Sequence, residues 1–415
     1  MVDVTYILLA VSLILFLGYF AEFMFKRFNV PDILFLIILG FIIGPVLNYV
    51  TPYQLSSIAP FFTAFALLFL LYDGAFNIDL ASFAKGLSVS MGITLFNFFA
   101  SVIVIATTLV LFRFSLPTAI LTGFMLSGIS SAFVIPILKQ MNVKGEIYSV
   151  LTIESALTDV FCIVFSFTTI EIIKLNTFNM QIVSSQIATL FAVAGLVGIV
   201  GGIVWIIIVA NVLKHNKSYM ATIAYLLLIY VITEYLKGNG AIAALFFGLI
   251  LKNSKQLTSI FQSIVAKKEE QKDTETLNYG ISVTTPTEQL FYSQISFFLK
   301  TFFFVYIGIL FNLKNITAII FGVIISILIM FSRNLSVIVT RKFNKLDREL
   351  VSAIFGPGLA SAVVAQVVIE KNIENAQLIS SLTYSVIIFT ILLSSIRIFL
   401  LKKKMSEQKQ SVSQI

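Results

Sequence analysis

The chain is organised around one stretch in its middle, residues 153–164, which reads IESALTDVFCIV. The stretch lies within an apolar run, residues 146–173, that is long enough to cross a bilayer. Glu154 and Asp159 interrupt this run, and a carboxylate is costly to bury in hydrocarbon. Because Asp159 follows Ser155 by four residues, their side chains share a helix face, whereas Glu154 is rotated to one side. Both acids are functional candidates, and the simpler alternative is that they only neutralise nearby cations.

The composition predicts a polytopic membrane protein. Of the 415 residues, 58% are hydrophobic and only 12% are charged, whereas a soluble domain carries about twice that charge. The net charge of +8 does not indicate nucleic-acid binding, because the basic residues lie in alternate loops. The single cysteine, Cys162, excludes a disulfide framework, and the single histidine, His215, lies in a basic loop. We expect no nucleotide-binding domain, no enzymatic activity and no cofactor.

Hydropathy predicts an all-α protein with about thirteen transmembrane helices. Lysine and arginine are abundant in the loops on one side of these spans, which is therefore the predicted cytoplasmic side. This places the N-terminus outside and the C-terminus inside the cell (inner) membrane, as an odd number of spans requires. The predicted spans are 4–25, 31–48, 57–76, 84–111, 116–140, 146–173, 183–211, 217–236, 239–252, 288–313, 314–340, 347–370 and 375–401, with a cytoplasmic linker at 253–287 and a cytoplasmic tail at 402–415.

Two pairs of segments resemble each other. GISSAFV at 128–134 resembles GLASAVV at 358–364, and LFLLYDG at 68–74 resembles FFFVYIG at 302–308. Each pair is seven predicted spans apart, and an odd offset reverses the orientation. The sequence therefore predicts inverted repeats, which are typical of secondary transporters.

Glycine and proline interrupt both Gly/Ser-rich segments. Gly128 and Pro136 lie in predicted span five, and Gly356, Pro357 and Gly358 open span twelve. These residues disfavour a continuous helix, and unwound backbone at mid-membrane offers carbonyl oxygens to an ion. We therefore expect a broken helix at each place, with close helix packing by small residues as the alternative.

Counting residues from the cytoplasmic surface places Glu154 and Arg333 at one depth. With a rise of about 1.5 Å per residue, both lie about 12 Å below that surface. We expect them to form a structural ion pair, because a guanidinium binds a carboxylate through two parallel hydrogen bonds and pairing lowers the cost of burial.

Asp159 lies deeper, about 20 Å from the same surface. We predict that it binds either a proton or a hard monovalent cation, and one acid that carries one or the other gives electroneutral exchange. Hard cations need several oxygen ligands. The hydroxyl groups predicted to supply them belong to Ser155, Thr158, Ser130 and Ser131.

Two further charged residues are possible modulators. Lys300 lies about 18 Å deep, close to the level of Asp159. It either neutralises Asp159 or faces another surface. Asp73, near the inner end of predicted span three, either shapes a cytoplasmic funnel or is a plain interfacial acid.

Three stretches carry a resemblance to a known family. ESALTD at 154–159 resembles an ESLxND motif, and FSRNLSV at 331–337 matches an RxLSV arginine helix. NVPD at 29–32 with GFIIGP at 40–45 resembles an early VPxxxxxxxxGxxxGP signature. Over nearly its whole length the chain is similar to the monovalent cation:proton antiporter superfamily, specifically to its NhaP-like sodium/proton exchangers, with some Kef-like features.

The resemblance implies an NhaA-like antiporter fold with inverted repeats, two crossed broken helices and a homodimer. It implies that Asp159 binds the ion and the proton, that Ser155 is a ligand, and that Glu154 and Arg333 form the buried pair. By the same resemblance, residues 84–173 and 314–401 are predicted to form the two halves of a moving core bundle. The dimerisation-domain helices are predicted at 1–76, 183–252 (with a linker) and 288–313.

Two positions depart from the family pattern. The TDP of the first broken helix is Ile129-Ser130-Ser131 here, and the asparagine before the key aspartate is Thr158. A double-aspartate pattern, which is linked with electrogenic exchange, is absent from the sequence. We therefore expect an electroneutral, elevator-type exchanger of Na⁺, or of Li⁺ or K⁺, for protons in the lipid bilayer. The alternatives are a sodium-coupled symporter of an organic anion and a K⁺/H⁺ efflux system.

Overall fold

The structure, a computed structural model, is helical in all the regular elements that it describes, and the all-α fold class is confirmed. It describes residues 12–13, 15–21, 23, 32–51, 55, 59–75, 89–141, 143, 146–175, 180–209, 219–254 and 286–412. His215 and most of the predicted linker at 253–287 lie outside these residues.

Fourteen α-helices follow one another within the described ranges, and we number them in chain order. A π-helical turn, Ile42–Val46, extends the first, and a 3₁₀ turn, Leu335–Ile338, extends the eleventh. The helices are α1 Asp32–Phe41, α2 Ala59–Ala75, α3 Val89–Leu111, α4 Leu116–Leu126, α5 Ser131–Gln140, α6 Glu146–Leu175, α7 Met180–Ile208, α8 Tyr219–Tyr235, α9 Gly240–Lys252, α10 Pro286–Leu310, α11 Ile316–Asn334, α12 Lys345–Ala353, α13 Leu359–Glu370 and α14 Ala376–Val412.

The helices have the lengths and composition of a multi-pass membrane protein. Within the described residues, six of them are long and apolar enough to cross a membrane, and six shorter apolar helices accompany them. The predicted spans from 31–48 onward each overlap a helix or a pair of helices. Of the first predicted span, 4–25, the described residues between 12 and 23 are helical. Helix α14 continues through most of the predicted tail to Val412.

Predicted spans five and twelve are each interrupted by unwound backbone. Residues 127–130 separate α4 from α5, and residues 354–358 separate α12 from α13. Gly128 lies in the first break, and Gly356, Pro357 and Gly358 lie in the second. Pro136 was named with them, but it lies inside α5. A membrane helix tolerates a proline where neighbouring groups satisfy the backbone group that the proline leaves without a hydrogen bond. Helix α5 therefore continues through Pro136, and the break lies before it.

The chain forms two compact units. The first contains Met1–Ala66, Leu87–Asn176 and Phe297–Ile415, and the second contains Leu67–Gly86 and Thr177–Ser296. In the first unit α6 packs against α3, α4 and α13, and α11 packs against α14. In the second unit α9 packs against α7 and α8. The candidate site residues lie in the first unit, with the exception of Asp73.

Candidate functional site

The two breaks touch each other inside the first unit. The backbone N–H of Ser130 donates to the carbonyl of Gly356 at 3.0 Å. A side chain on Gly358 would overlap the side chain of Ser130, so only glycine allows this approach. Gly356 has a φ of 125°, in the region that favours glycine. The glycines predicted to break the second helix therefore also bring its backbone against the first break.

Helix α6 supports the first break from the other side. The N–H of Ile129 donates to Oγ1 of Thr158 at 3.1 Å, and a Cβ at Gly128 would lie 3.3 Å from the Thr158 carbonyl. At the end of α4, the Met125 carbonyl accepts hydrogen bonds from Ser361 Oγ and from Cys162 Sγ, the latter at 3.3 Å. Buried backbone groups need such partners, and the break obtains them from side chains of α6 and α13.

Asp159 directly follows Thr158 on α6 and is only 9% exposed. Oγ of Ser131 donates to Oδ2 of Asp159 at 2.8 Å. Ser131 is the first residue of α5, and the amino end of a helix favours a nearby negative charge. The carboxylate that the sequence predicted as the ion-binding group is therefore buried beside the first break.

Of the four predicted hydroxyl ligands, Ser131 is the one that donates a hydrogen bond to Asp159. Thr158 uses its hydroxyl on the backbone of the break, as described above. Ser155 donates to the Thr152 carbonyl of its own helix at 2.9 Å. Ser130 is 2% exposed and contacts the second break through its backbone.

Glu154 and Arg333 are in contact and both are buried, at 0% and 4% exposure. Arg333 Nη2 donates to Glu154 Oε2 at 2.8 Å, and Nη1 donates to Oε1. Asn97 Nδ2, on α3, donates to the same Oε1 at 2.9 Å. The Glu154 carboxylate thus accepts three charge-assisted hydrogen bonds, so both of its oxygens have partners inside the protein.

Sequence reasoning missed several polar residues of this unit. Asn97 is an uncharged side chain in an apolar stretch of the sequence. Its buried hydrogen-bond partner could have been predicted only if its burial had been known, and the sequence does not give that. A second buried chain links Tyr306 Oη to Gln366 Oε1 at 3.4 Å and Gln366 Nε2 to Tyr384 Oη. Arg397 contacts the end of α12. The sequence does carry a signal for this residue, because an arginine in an apolar helix, three residues after Ser394, needs a polar neighbour.

The two possible modulators are placed differently. Lys300 is partly buried on α10 and belongs to the same compact unit as Asp159. Asp73 is exposed near the end of α2 and belongs to the other unit. Their roles stay predictions. Within the residues that the structure describes, no cluster of three or more His, Cys, Asp or Glu could hold a metal ion.

The fold is similar to that of solved antiporters. It matches the structure of the sodium proton antiporter MjNhaP1 from Methanocaldococcus jannaschii at pH 8, with a TM-score of 0.75, 19% identity and coverage of 97% of this chain and 99% of that one. A three-dimensional electron-microscopy map of MjNhaP1 gives a TM-score of 0.66 at 19% identity, over 97% of this chain and 98% of that one. At this identity the likeness establishes the fold.

Sequence comparison reaches the same group of proteins. The chain is 25% identical over 320 residues to a protein of the same organism named "Probable Na(+)/H(+) antiporter 2", covering 72% of this chain and 69% of that one. Residues 11–404 match the family described as "Sodium/hydrogen exchanger, transmembrane". The chain therefore belongs to the transmembrane sodium/hydrogen exchanger family, whose members are transporters rather than enzymes.

Proposed function

We propose that this protein exchanges a monovalent cation for protons and that both compete for Asp159. The observation that carries the proposal is the buried carboxylate of Asp159, hydrogen-bonded by Ser131 beside the break between α4 and α5. Relatives named as Na⁺/H⁺ antiporters make Na⁺ the first cation to test. Li⁺ and K⁺ are the others, because Ser130 and Ser131 replace the acid and proline of the family motif.

The proposed exchange is electroneutral. Both oxygens of Glu154 are engaged by Arg333 and Asn97, so this carboxylate is committed to a buried structural pair. Asp159 is then the acid that changes partner during transport. One proton and one monovalent cation carry the same charge, so a cycle through one carboxylate moves no net charge.

Competition at one acid also explains obligatory coupling. A carboxylate loaded with either a proton or a cation is neutral and crosses the apolar barrier, whereas the bare carboxylate is too costly to move. We propose that residues 84–173 and 314–401 move together in an elevator-type cycle. The contact of Glu154 on α6 with Arg333 on α11 supports this, because it joins the two halves. The proposal includes a homodimer in the inner membrane with the N-terminus outside.

The test uses purified protein in liposomes that carry an internal pH dye. Addition of Na⁺ to liposomes that contain the wild type should move protons in the direction opposite to the cation. The rate of this proton movement should not change when K⁺ and valinomycin set a membrane voltage, because the exchange moves no net charge. Asp159→Asn should abolish exchange, since an amide neither titrates nor supplies a charge. Glu374→Gln, at an exposed loop acid, is the matched control and should behave as the wild type.

Exchange that persists in Asp159→Asn would overturn the assignment of this residue. Side-by-side addition of Na⁺, Li⁺ and K⁺ decides the cation. A rate that responds to voltage would contradict electroneutrality while leaving antiport itself in place.

A further inference from the structure

The last turn of α12, at the edge of the second break, presents three consecutive carbonyls to side chains of other helices. Carbonyls in the last turn of a helix have no partner within it, and the carboxyl end of a helix favours positive charge. Two arginines and a serine occupy these positions. Val351 O accepts from Arg333 Nε at 2.9 Å, Ser352 O from Arg397 Nη1 at 2.9 Å, and Ala353 O from Ser394 Oγ at 2.7 Å.

Arg397 on α14 makes the most extensive of these contacts. Its Nη2 donates to Asn334 Oδ1 at 3.0 Å and to Ser352 Oγ at 3.2 Å. Its guanidinium carbon lies 5.9 Å from the ring centroid of Phe355, which is already part of the break. One planar cation therefore joins the end of α11, the end of α12 and the first residues of the break, which fixes both the position and the direction of that segment.

A short run of contacts leads from this segment to the proposed ion site. Phe355 is followed by Gly356, whose carbonyl accepts the N–H of Ser130 at 3.0 Å. The next residue, Ser131, donates to Asp159 at 2.8 Å. The position of the second break therefore bears directly on the hydroxyl that contacts the ion-binding carboxylate.

We propose that Arg397 is a positioning residue for cation binding, which acts by holding the end of α12 and hence the contact between the two breaks. The inference rests on the proposed function, because it concerns affinity at Asp159. Arg333 holds the same turn but is also committed to Glu154, so its removal changes two things. A substitution at Arg397 therefore tests the positioning of the break without removing a member of the buried ion pair.

The experiment measures the KM and the maximal rate for the transported cation in liposomes for Arg397→Gln, Arg397→Lys and two controls. Arg397→Gln loses the charge and the fork of donors, and the KM should rise about three- to tenfold, part of what one charge-assisted hydrogen bond contributes. Arg397→Lys keeps a charged donor near the Ser352 carbonyl, so its KM should rise less. Arg341→Gln removes an exposed arginine, and Ser395→Ala on α14 removes a hydroxyl that donates to the Ile391 carbonyl of its own helix. Both should keep the wild-type KM.

The outcomes separate the two proposals. A wild type without cation-driven proton movement would overturn the proposed function, whereas an active wild type with an unchanged KM in both Arg397 variants would overturn this inference alone. Should Arg397→Gln fail to fold, as judged by gel filtration in detergent, Arg397→Lys decides by the same criterion. A fall in maximal rate with an unchanged KM also overturns it, because a merely structural role lowers the amount of active protein and leaves affinity as it was.

Discussion

Removing either charge of the Glu154–Arg333 pair should destabilise the protein strongly. Both side chains are buried, at 0% and 4% exposure, so the remaining partner would keep an uncompensated charge. Breaking a buried pair in this way costs about 3–5 kcal/mol. Glu154→Leu and Arg333→Met are the two perturbations, because each replaces a charged side chain by an apolar one of similar length.

The double variant should be more stable than the sum of the two losses predicts. It removes both charges together and so avoids the buried unpaired ion. It still leaves the Val351 carbonyl without Arg333 Nε and Asn97 without its acceptor, which keeps a cost of about 1–3 kcal/mol. The two single losses sum to about 6–10 kcal/mol, so the double-mutant cycle should give a coupling energy of about 3 kcal/mol or more.

Reversible unfolding in mixed micelles of increasing SDS fraction gives the free energies. The readout is the free energy of unfolding of the wild type, the two single variants and the double variant under one condition. Single variants within about 1 kcal/mol of the wild type would refute the reasoning, since that is the range of an exposed ion pair. A coupling energy near zero would do so as well, because the two charges would then act independently.

Two further predictions concern the breaks. Gly358→Ala should abolish exchange, because the new Cβ would overlap Ser130. The control is Gly92→Ala on α3, where a Cβ meets nothing within 4 Å, and this variant should exchange as the wild type does. Equal exchange rates in the two variants would contradict the close approach of the breaks. Thr158→Val should lower the free energy of unfolding by about 1–3 kcal/mol, because it leaves the Ile129 N–H without its acceptor. Thr169→Val on the same helix, whose hydroxyl bonds only to the Phe165 carbonyl, is the control and should change it little.

The sequence predicted the helices well because hydropathy and helix-breaking residues are local signals. It also predicted the contact between Glu154 and Arg333, because counting residues along the helices placed both at one predicted depth. Counting fixes one coordinate only. It does not say which helices are neighbours or how each is rotated, so it could not place Asn97 beside Glu154 or Arg397 at the end of α12.

The predicted hydroxyl ligands show the second limit. Ser155 and Thr158 were chosen because they lie on the same helix as Asp159, which is a statement about sequence spacing. A buried hydroxyl bonds to whichever polar group lies nearest, and near a broken helix that group is often backbone. Thr158 accepts the Ile129 N–H for this reason, and no local signal reveals where unwound backbone of another helix will lie.

Breaking a helix inside a membrane creates backbone groups that the protein itself must satisfy. In this unit side chains satisfy many of them, through Thr158 and Ser361 at the first break and through Arg397 and Ser394 at the second. A carbonyl oxygen that accepts one hydrogen bond keeps a second lone pair, and a hydroxyl that donates keeps both, so these contacts fix the positions of the oxygens around the breaks. We infer that the cation site is centred on Asp159 and on Ser131, whose hydroxyl contacts that carboxylate. Its affinity then depends on how firmly the second break is held in place.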